Sequence, residues 1–248
     1  DTSSSLWKLP VEKAKKISDE CEVSVALYES FDDFIKHDMD AVVLANYAIE
    51  HAPFAIRCLE AGKHVLSEVT ACETMAQAVE LIEAVERTGL VYAYAENCCY
   101  MESAFEMWRL YENGELGEVM FAEGEYIHDS TTIHPQITYG DPNHWRNRSY
   151  STFYCTHSIG PILTITGLRP VQVVGLETNY KLYSEPMQYY GRAGIEMLTL
   201  ENGAIVRSIH GPLKREPAGC KWMLYGHKGM AETDRFDNKK IHVYREGD

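Results

Sequence analysis

Asp40-Ala41-Val42-Val43-Leu44-Ala45 and His64-Val65-Leu66 decide the fold of this chain. Each is a short apolar run followed by polar turn residues, Asn46 after the first and Ser67-Glu68 after the second. Runs of this kind, rich in Val and Leu, belong to parallel strands buried on both faces. Between them, residues 50–61 carry a helical pattern, and Gly62 stands at the C′ position where a helix stops. Strand, helix and strand at this spacing make a right-handed βαβ unit.

Outward from this unit the alternation continues. Residues 10–20 read as a charged amphipathic helix with Val11, Ala14 and Ile17 on one face. Residues 23–28 read as a short strand and residues 31–37 as a helix capped by Ser30. Downstream, residues 74–87 place Met75, Ala78, Val79, Ile82 and Val85 on one side of a helix ended by Gly89, and residues 90–94 form the last strand of the series. Four strands alternating with helices predict an α/β fold, a Rossmann-like doubly wound parallel sheet. No glycine-rich phosphate turn precedes them, so residues 1–97 are expected to be a partial dinucleotide-binding domain with its first βα unit missing. That turn and its helix N-terminus carry much of the pyrophosphate binding, so the chain as written is expected to bind a dinucleotide weakly.

After Asn97 the rhythm changes. A helix over residues 101–113 and a long strand over residues 118–128 precede residues 129–151, which are polar and too long for a plain connector. Such a stretch is expected to be a lid or part of a site. Residues 154–167 read as a helix. Strand-like runs follow at 172–178, 195–200, 204–210 and 221–225, and Glu201-Asn202-Gly203 is a hairpin turn signal. Residues 98–248 are therefore expected to form an α+β domain with a mainly antiparallel sheet, serving substrate binding and oligomerisation. A sheet left uncovered on one face predicts a homo-oligomer through that face.

Composition narrows the partners. The 248 residues are 45% hydrophobic and 24% charged, the balance of a globular protein. A net charge of −14 argues against nucleic acid, whose phosphates need cationic surface, and against anionic membranes. No apolar run approaches the ~20 residues that span a bilayer. Seven cysteines cannot all pair within one chain and no secretory signal opens the sequence, so a reducing, cytoplasmic location is expected. No C-x-x-C appears, which argues against zinc, and no metal ligand is assigned.

Cofactors bind such sheets at the carboxyl ends of their strands. Residues 46–51 follow the first quoted strand and open a helix, Glu68-Val69-Thr70 follow the second, and Asn97 follows the strand at 90–94. Polar groups at successive strand ends predict one cofactor-binding edge. In the second half, Tyr154 and His157 are three positions apart, so they share one face of a helical turn and can converge on one ligand.

Taken in order, several motifs share one resemblance. They are Glu68-Val69, Glu96-Asn97 with Tyr100, Gly124-Glu125-Tyr126-Ile127-His128-Asp129, His144-Trp145-Arg146, and Tyr154-Cys155-Thr156-His157 with Gly160-Pro161. Over nearly the whole chain they resemble the Gfo/Idh/MocA oxidoreductase family, and within it the NAD-dependent α-N-acetylgalactosaminidase branch. In most dehydrogenases of that family the segment at Glu68 reads Glu-Lys-Pro, and the lysine assists proton transfer. Val69 and Thr70 stand there instead, and the glycosidase branch also has Glu-Val. A valine can pack on a nicotinamide face but cannot move a proton.

The resemblance implies NAD (or NADP) as cofactor, held by Asp1, His51, Glu68, Val69 and Asn97, with Asp1 on the adenosine ribose. It implies sugar contacts from Tyr126, Arg146 and Thr156, and catalysis by Tyr154 and His157. Two positions depart from the glycosidase pattern. Pro217-Ala218 stands where a Pro-Tyr segment supplies a further substrate tyrosine, and Ala48 replaces the Trp of a W-x-x-H motif while His51 is kept.

The activity so implied is hydride transfer at a ring carbinol of a carbohydrate or cyclic polyol. One alternative is a redox-neutral glycosidase. There the new ketone acidifies the neighbouring C–H, elimination breaks the glycosidic bond, water adds and the hydride returns, without the carboxylate pair of most glycosidases. Another is a non-catalytic sugar-binding protein, which the missing phosphate turn would fit. His157 is expected to titrate near neutrality, and a tyrosine, ordinarily near pKa ~10, to be lowered by a close positive charge.

Overall fold

The computed structural model describes residues 5–130, 132–147, 149–178, 193–213 and 217–248, so Asp1 lies outside the described residues. Helix α1 (Ser5–Cys21) and the single turn α2 (Phe31–Phe34) come first, and the Ser30 hydroxyl caps α2 by accepting from the Asp33 N–H. A three-stranded sheet follows, made of β1 (Ala41–Leu44), β2 (His64–Ser67) and β3 (Tyr92–Tyr94) in that spatial order, all parallel. Helices α3 (His51–Glu60) and α4 (Met75–Thr88) make the crossovers. Their ends are set locally. Gly62 and Gly89 take φ of 80° and 67° after the last turns, and Thr74 with Gln77 forms a reciprocal capping box at the start of α4.

The parallel layer differs from the sequence expectation in three places. Residues 23–28 form no strand: β1 is the edge of the sheet, no described strand lies beside it to pair with them, and Val23, Val25 and Leu27 are exposed. The burial expected on both faces of residues 40–45 is met on one. Val42 and Leu44 pack with residues of α3 and α4, whereas Val43 is 67% exposed. Both crossover helices cover the same face, so among the described residues the Rossmann-like sheet is wound on one side. Finally, α4 turns Leu81 and Ala84 inward and leaves Met75, Val79 and Ile82 exposed, because its burial follows its contact with α3 rather than the width of its own apolar stripe.

A 3-10 turn (Asn97–Tyr100) and α5 (Glu102–Glu112) lead into the second sheet. Its strands are β4 (Val119–Ile127), β5 (Pro170–Glu177), β6 (Gly194–Leu200), β7 (Ile205–Gly211), β8 (Gly219–Gly226), β9 (Gly229–Thr233) and β10 (Ile241–Arg245). Their order is β10-β9-β8-β4-β7-β6-β5, and β4–β7 is its one parallel pair. The sheet is thus mainly antiparallel, as expected. Strands β9 and β10 lack long apolar runs, and the sequence pattern does not mark them. Between β4 and β5 lie the short α6 (His134–Ile137), two 3-10 turns and α7 (Thr156–Thr166).

Helices α5 and α7 share the larger core with the inner face of this sheet, around Met107, Leu110, Ile162, Trp222 and Leu224. The first turn of α7 is pressed onto the strands. A Cβ on Gly124 of β4 would sit 1.9 Å from the Ser158 carbonyl oxygen. The Ser158 hydroxyl lies 2.7 Å from that of Ser208 on β7, and Trp222 Nε1 donates to the His157 carbonyl at 3.2 Å. Gly124→Ala is therefore expected to lower the unfolding free energy in urea by at least ~1–3 kcal/mol, the usual cost of overpacking. Gly175→Ala on β5, whose Cβ would meet nothing nearer than 3.9 Å, should leave the midpoint nearly unchanged. Equal midpoints for the two variants would contradict this close approach.

Candidate active site

Glu96 ends the last parallel strand and reaches into the second sheet's helix. It is 3% exposed, and its carboxylate accepts from the Cys98 N–H at 2.9 Å, from the Thr156 hydroxyl at 2.5 Å and from His157 Nδ1 at 2.7 Å. Gly160 makes room for it, since a Cβ there would meet Glu96 Cγ at 2.9 Å. With Nδ1 committed to Glu96, His157 keeps Nε2 for other chemistry. Around the imidazole stand Tyr126, at 4.6 Å between ring centroids, and Tyr154, at 5.0 Å, both edge-on.

Two adjoining cavities open here, sharing Tyr126 and His128 as a wall. One, of about 360 Å³, is lined by Asn97, Cys98 and His157. The other, of about 260 Å³, is lined by Trp145, Arg146, Tyr154 and His210. The Arg146 guanidinium lies 4.5 Å over the Trp145 ring, which aims a cation along an aromatic wall. Trp145 Nε1 is buried with no hydrogen-bond partner among the described residues.

The structure thus brings Tyr126, Arg146, Tyr154, His157 and Asn97 to one place. Glu68 is exposed at the end of β2, close enough for its charge to act on the Tyr154 hydroxyl, and Val69 beside it is buried. Thr156 lines neither cavity: its hydroxyl donates to Glu96 and accepts from the Tyr94 hydroxyl at 3.0 Å, so it braces the carboxylate. His51 sits behind the edge, 1% exposed, with Nδ1 2.7 Å from the Thr70 carbonyl and Nε2 3.2 Å from that of Asn46. It ties two strand-end loops together and offers no free ring nitrogen. Sequence reasoning missed Glu96 and His210 as site residues. The position of Glu96 directly before Asn97 at a strand end was the available signal; His210 had none beyond its alternation within a strand.

Glu96, Cys98 and His157 place potential metal-ligating atoms within 4.8 Å of one another. Each carboxylate oxygen of Glu96 is already hydrogen-bonded, so an ion there would displace those bonds.

Residues 4–96 match the family described as "Oxidoreductase family, NAD-binding Rossmann fold" (GFO_IDH_MocA). An alpha-N-acetylgalactosaminidase of Bacteroides fragilis is 33% identical over 140 residues, 54% of this chain and 33% of that protein. A glycosyl hydrolase family 109 protein of Phocaeicola vulgatus is 28% identical over 244 residues, 89% of this chain and 51% of that protein. The chain thus spans about a third to a half of the length of these relatives. Among solved structures, a levoglucosan dehydrogenase in complex with NADH and L-sorbose superposes with a TM-score of 0.77 at 19% identity, over 96% of this chain and 65% of that one. That likeness is one of fold.

The charge state of the site departs from the sequence expectation. Burial alone would push the His157 imidazole down, but its hydrogen bond to the Glu96 carboxylate and the charge of that group oppose burial and hold it above its usual value. His157 is therefore an imidazolium at neutral pH, not a group poised to titrate there. Burial likewise opposes Glu96, and the bonds from His157 and Thr156 outweigh it, keeping the carboxyl below its usual range. Tyr126 and Tyr154 are raised, chiefly by burial. A histidine raised on folding contributes stability that is complete below its unfolded pKa of ~6.5 and lost as pH rises through its folded value. Unfolding free energy should therefore fall as pH rises from ~6.5 through that folded value, by ~1.4 kcal/mol for each pH unit between the two. Glu96→Gln should flatten that fall in urea titrations at several pH values. An unchanged slope in the variant would refute the pairing.

Proposed function

We propose that this chain, whose residues 4–96 match the Gfo/Idh/MocA oxidoreductase family model, is a member of that family and works with NAD on a carbohydrate or cyclic polyol, by hydride transfer at a ring carbinol. One observation carries the reading: the strand-end Asn97 and the proton-handling His157 open on the same cavity, with Tyr126 between it and the next. The dinucleotide edge fits at its nicotinamide end, where exposed Glu68 and Asn97 flank buried Val69. A nicotinamide held there would accept and return a hydride. His157, charged and fixed by Glu96, points hydrogen-bonding capacity at a substrate hydroxyl and takes up its proton once a second positive charge in the cavity lowers its pKa. Arg146 and Trp145 orient the ring in the adjoining cavity.

A redox-neutral glycosidase is the second reading. Val69 favours it, since no lysine stands at that strand end to serve an ordinary dehydrogenase, and so does the likeness to an alpha-N-acetylgalactosaminidase. The outer face of the second sheet, with Phe121, Met197 and Tyr225, would join two copies. No described helix is long and apolar enough to cross a membrane.

The complete gene product decides among these readings. With NAD and a nitrophenyl N-acetyl-α-galactosaminide, accumulating reduced nicotinamide marks a dehydrogenase, and nitrophenol release without accumulation marks the glycosidase. His157→Ala should lower kcat by ~10²–10⁴-fold, the usual share of a general acid–base group, and leave NAD affinity nearly unchanged. An intact kcat with lowered stability would reduce His157 to a packing role. Neither reaction, with sugar binding retained, would make the protein a sugar binder only.

A further inference from the structure

A second carboxylate–imidazole pair lies under the 260 Å³ cavity, and the chemistry above leaves it unused. Glu196 Oε1 on β6 is 2.7 Å from His210 Nε2 on β7, and the residues are 5% and 1% exposed. The register explains the meeting. β6 and β7 pair Gly194 with His210 and Glu196 with Ser208, so the two side chains share the inner face one diagonal step apart. Gly194 is needed there, because a Cβ would sit 2.9 Å from the His210 ring. On the other side, β4 pairs Tyr126 with His210, which puts this dyad directly behind the tyrosine that faces His157.

A carboxylate and an imidazole buried together are a costly choice for a core, since apolar residues of similar volume usually serve stability as well or better. Glu196 Oε2 has no hydrogen-bond partner among the described residues, which raises that cost. His210 nonetheless lines the cavity. With Glu196 ionised and His210 neutral, Nε2–H would donate to the carboxylate and Nδ1 would carry the lone pair, the arrangement of an oriented general base. Simple dehydrogenation moves one proton, from the hydroxyl. Redox-neutral elimination must also move one from carbon.

We propose that His210, oriented by Glu196, is the second proton-transfer residue of this site and acts on the carbon-bound proton of a glycoside. The proposal rests on the redox-neutral reading, in which the hydride step produces a ring ketone. His210 Nδ1 takes the proton from the carbon beside that ketone. The C–H electron pair becomes a C=C bond, and the bond to the leaving oxygen breaks with its electrons on that oxygen. The His210 imidazolium then gives its proton to the leaving oxygen and returns to its starting form. Water adds by the reverse steps.

The test uses the complete gene product with NAD and a nitrophenyl N-acetyl-α-galactosaminide in D₂O, for wild type, His210→Asn and Glu196→Gln. Three signals are read: reduced nicotinamide in the first turnover, deuterium entering the sugar carbon, and nitrophenol release. His210→Asn should keep the first and lose the other two by ~10²–10⁴-fold. Glu196→Gln, which keeps the packing, should lose less and shift the pH profile of nitrophenol release. Exchange and release near wild-type rates in a folded His210→Asn would overturn the proposal. So would equal loss of all three signals, which marks general disruption, or an unshifted pH profile in Glu196→Gln should His210→Asn fail to fold. Absence of nicotinamide reduction in wild type would instead overturn the functional reading, and this proposal with it.

Discussion

The Glu96 carboxylate accepts hydrogen bonds from the turn after it, from Thr156 and from His157, and through them joins the parallel layer to α7. It sits at the carboxyl end of β3, where the strand order of such sheets leaves room for a ligand. Everything that orients His157 comes either from this contact or from the strands pressing on the opposite side of α7. Gly124 and Gly160 allow the two approaches by having no side chain. Moving either backbone by a side-chain radius would separate the imidazole from its carboxylate. The distance of 2.7 Å is therefore a property of the packing between two sheets, not of a local turn.

That packing sets the chemistry by setting charge. A lone buried histidine would lose its proton to escape desolvation, and a lone buried glutamic acid would keep its own. Paired, the two move in opposite directions, and the site holds an imidazolium beside a carboxylate. Buried tyrosines on either side stay neutral and act as hydrogen-bonding walls. The chain carries a net charge of −14, yet the groups facing the two cavities include Arg146 and His157 as cations. A polyol, with hydroxyls that accept as well as donate, suits such a lining better than a second cation would.

Local signals made much of this legible in the sequence. Gly62, Gly89 and the Thr74–Gln77 box stop and start helices within a few residues of themselves, so the crossovers fell where the periodicity put them. Tyr154 and His157 met because three positions along one turn must meet. What stayed hidden depends on neighbours. Val43 lies in an apolar run indistinguishable from Val42, and only the absence of a described layer on its side leaves it exposed. Residues 23–28 look like a strand but have no ladder to join. Glu96 and His157 are 61 positions apart, and no periodicity links them. Glu196 and His210 are 14 apart, but reading them as a pair requires the register of β6 on β7, which a hairpin signal at Asn202-Gly203 suggests without fixing.

Cys98 shows why this constellation reads as a proton-handling network. Its Sγ lies 3.3 Å from that of Cys220 on β8 and beside His157, in a cluster with Glu96 whose donor types could hold a metal. A metal needs the thiolate. The contact with Cys220 and burial both push the Cys98 thiol up, and His157 opposes them without prevailing. The thiol therefore keeps its proton while Glu96 spends its oxygens on three donors. Each member of the cluster is satisfied by another member or by the backbone turn that carries it. Such a network gains rigidity from being closed, and the single nitrogen it leaves uncommitted to Glu96, Nε2 of His157, is the one a substrate hydroxyl would meet.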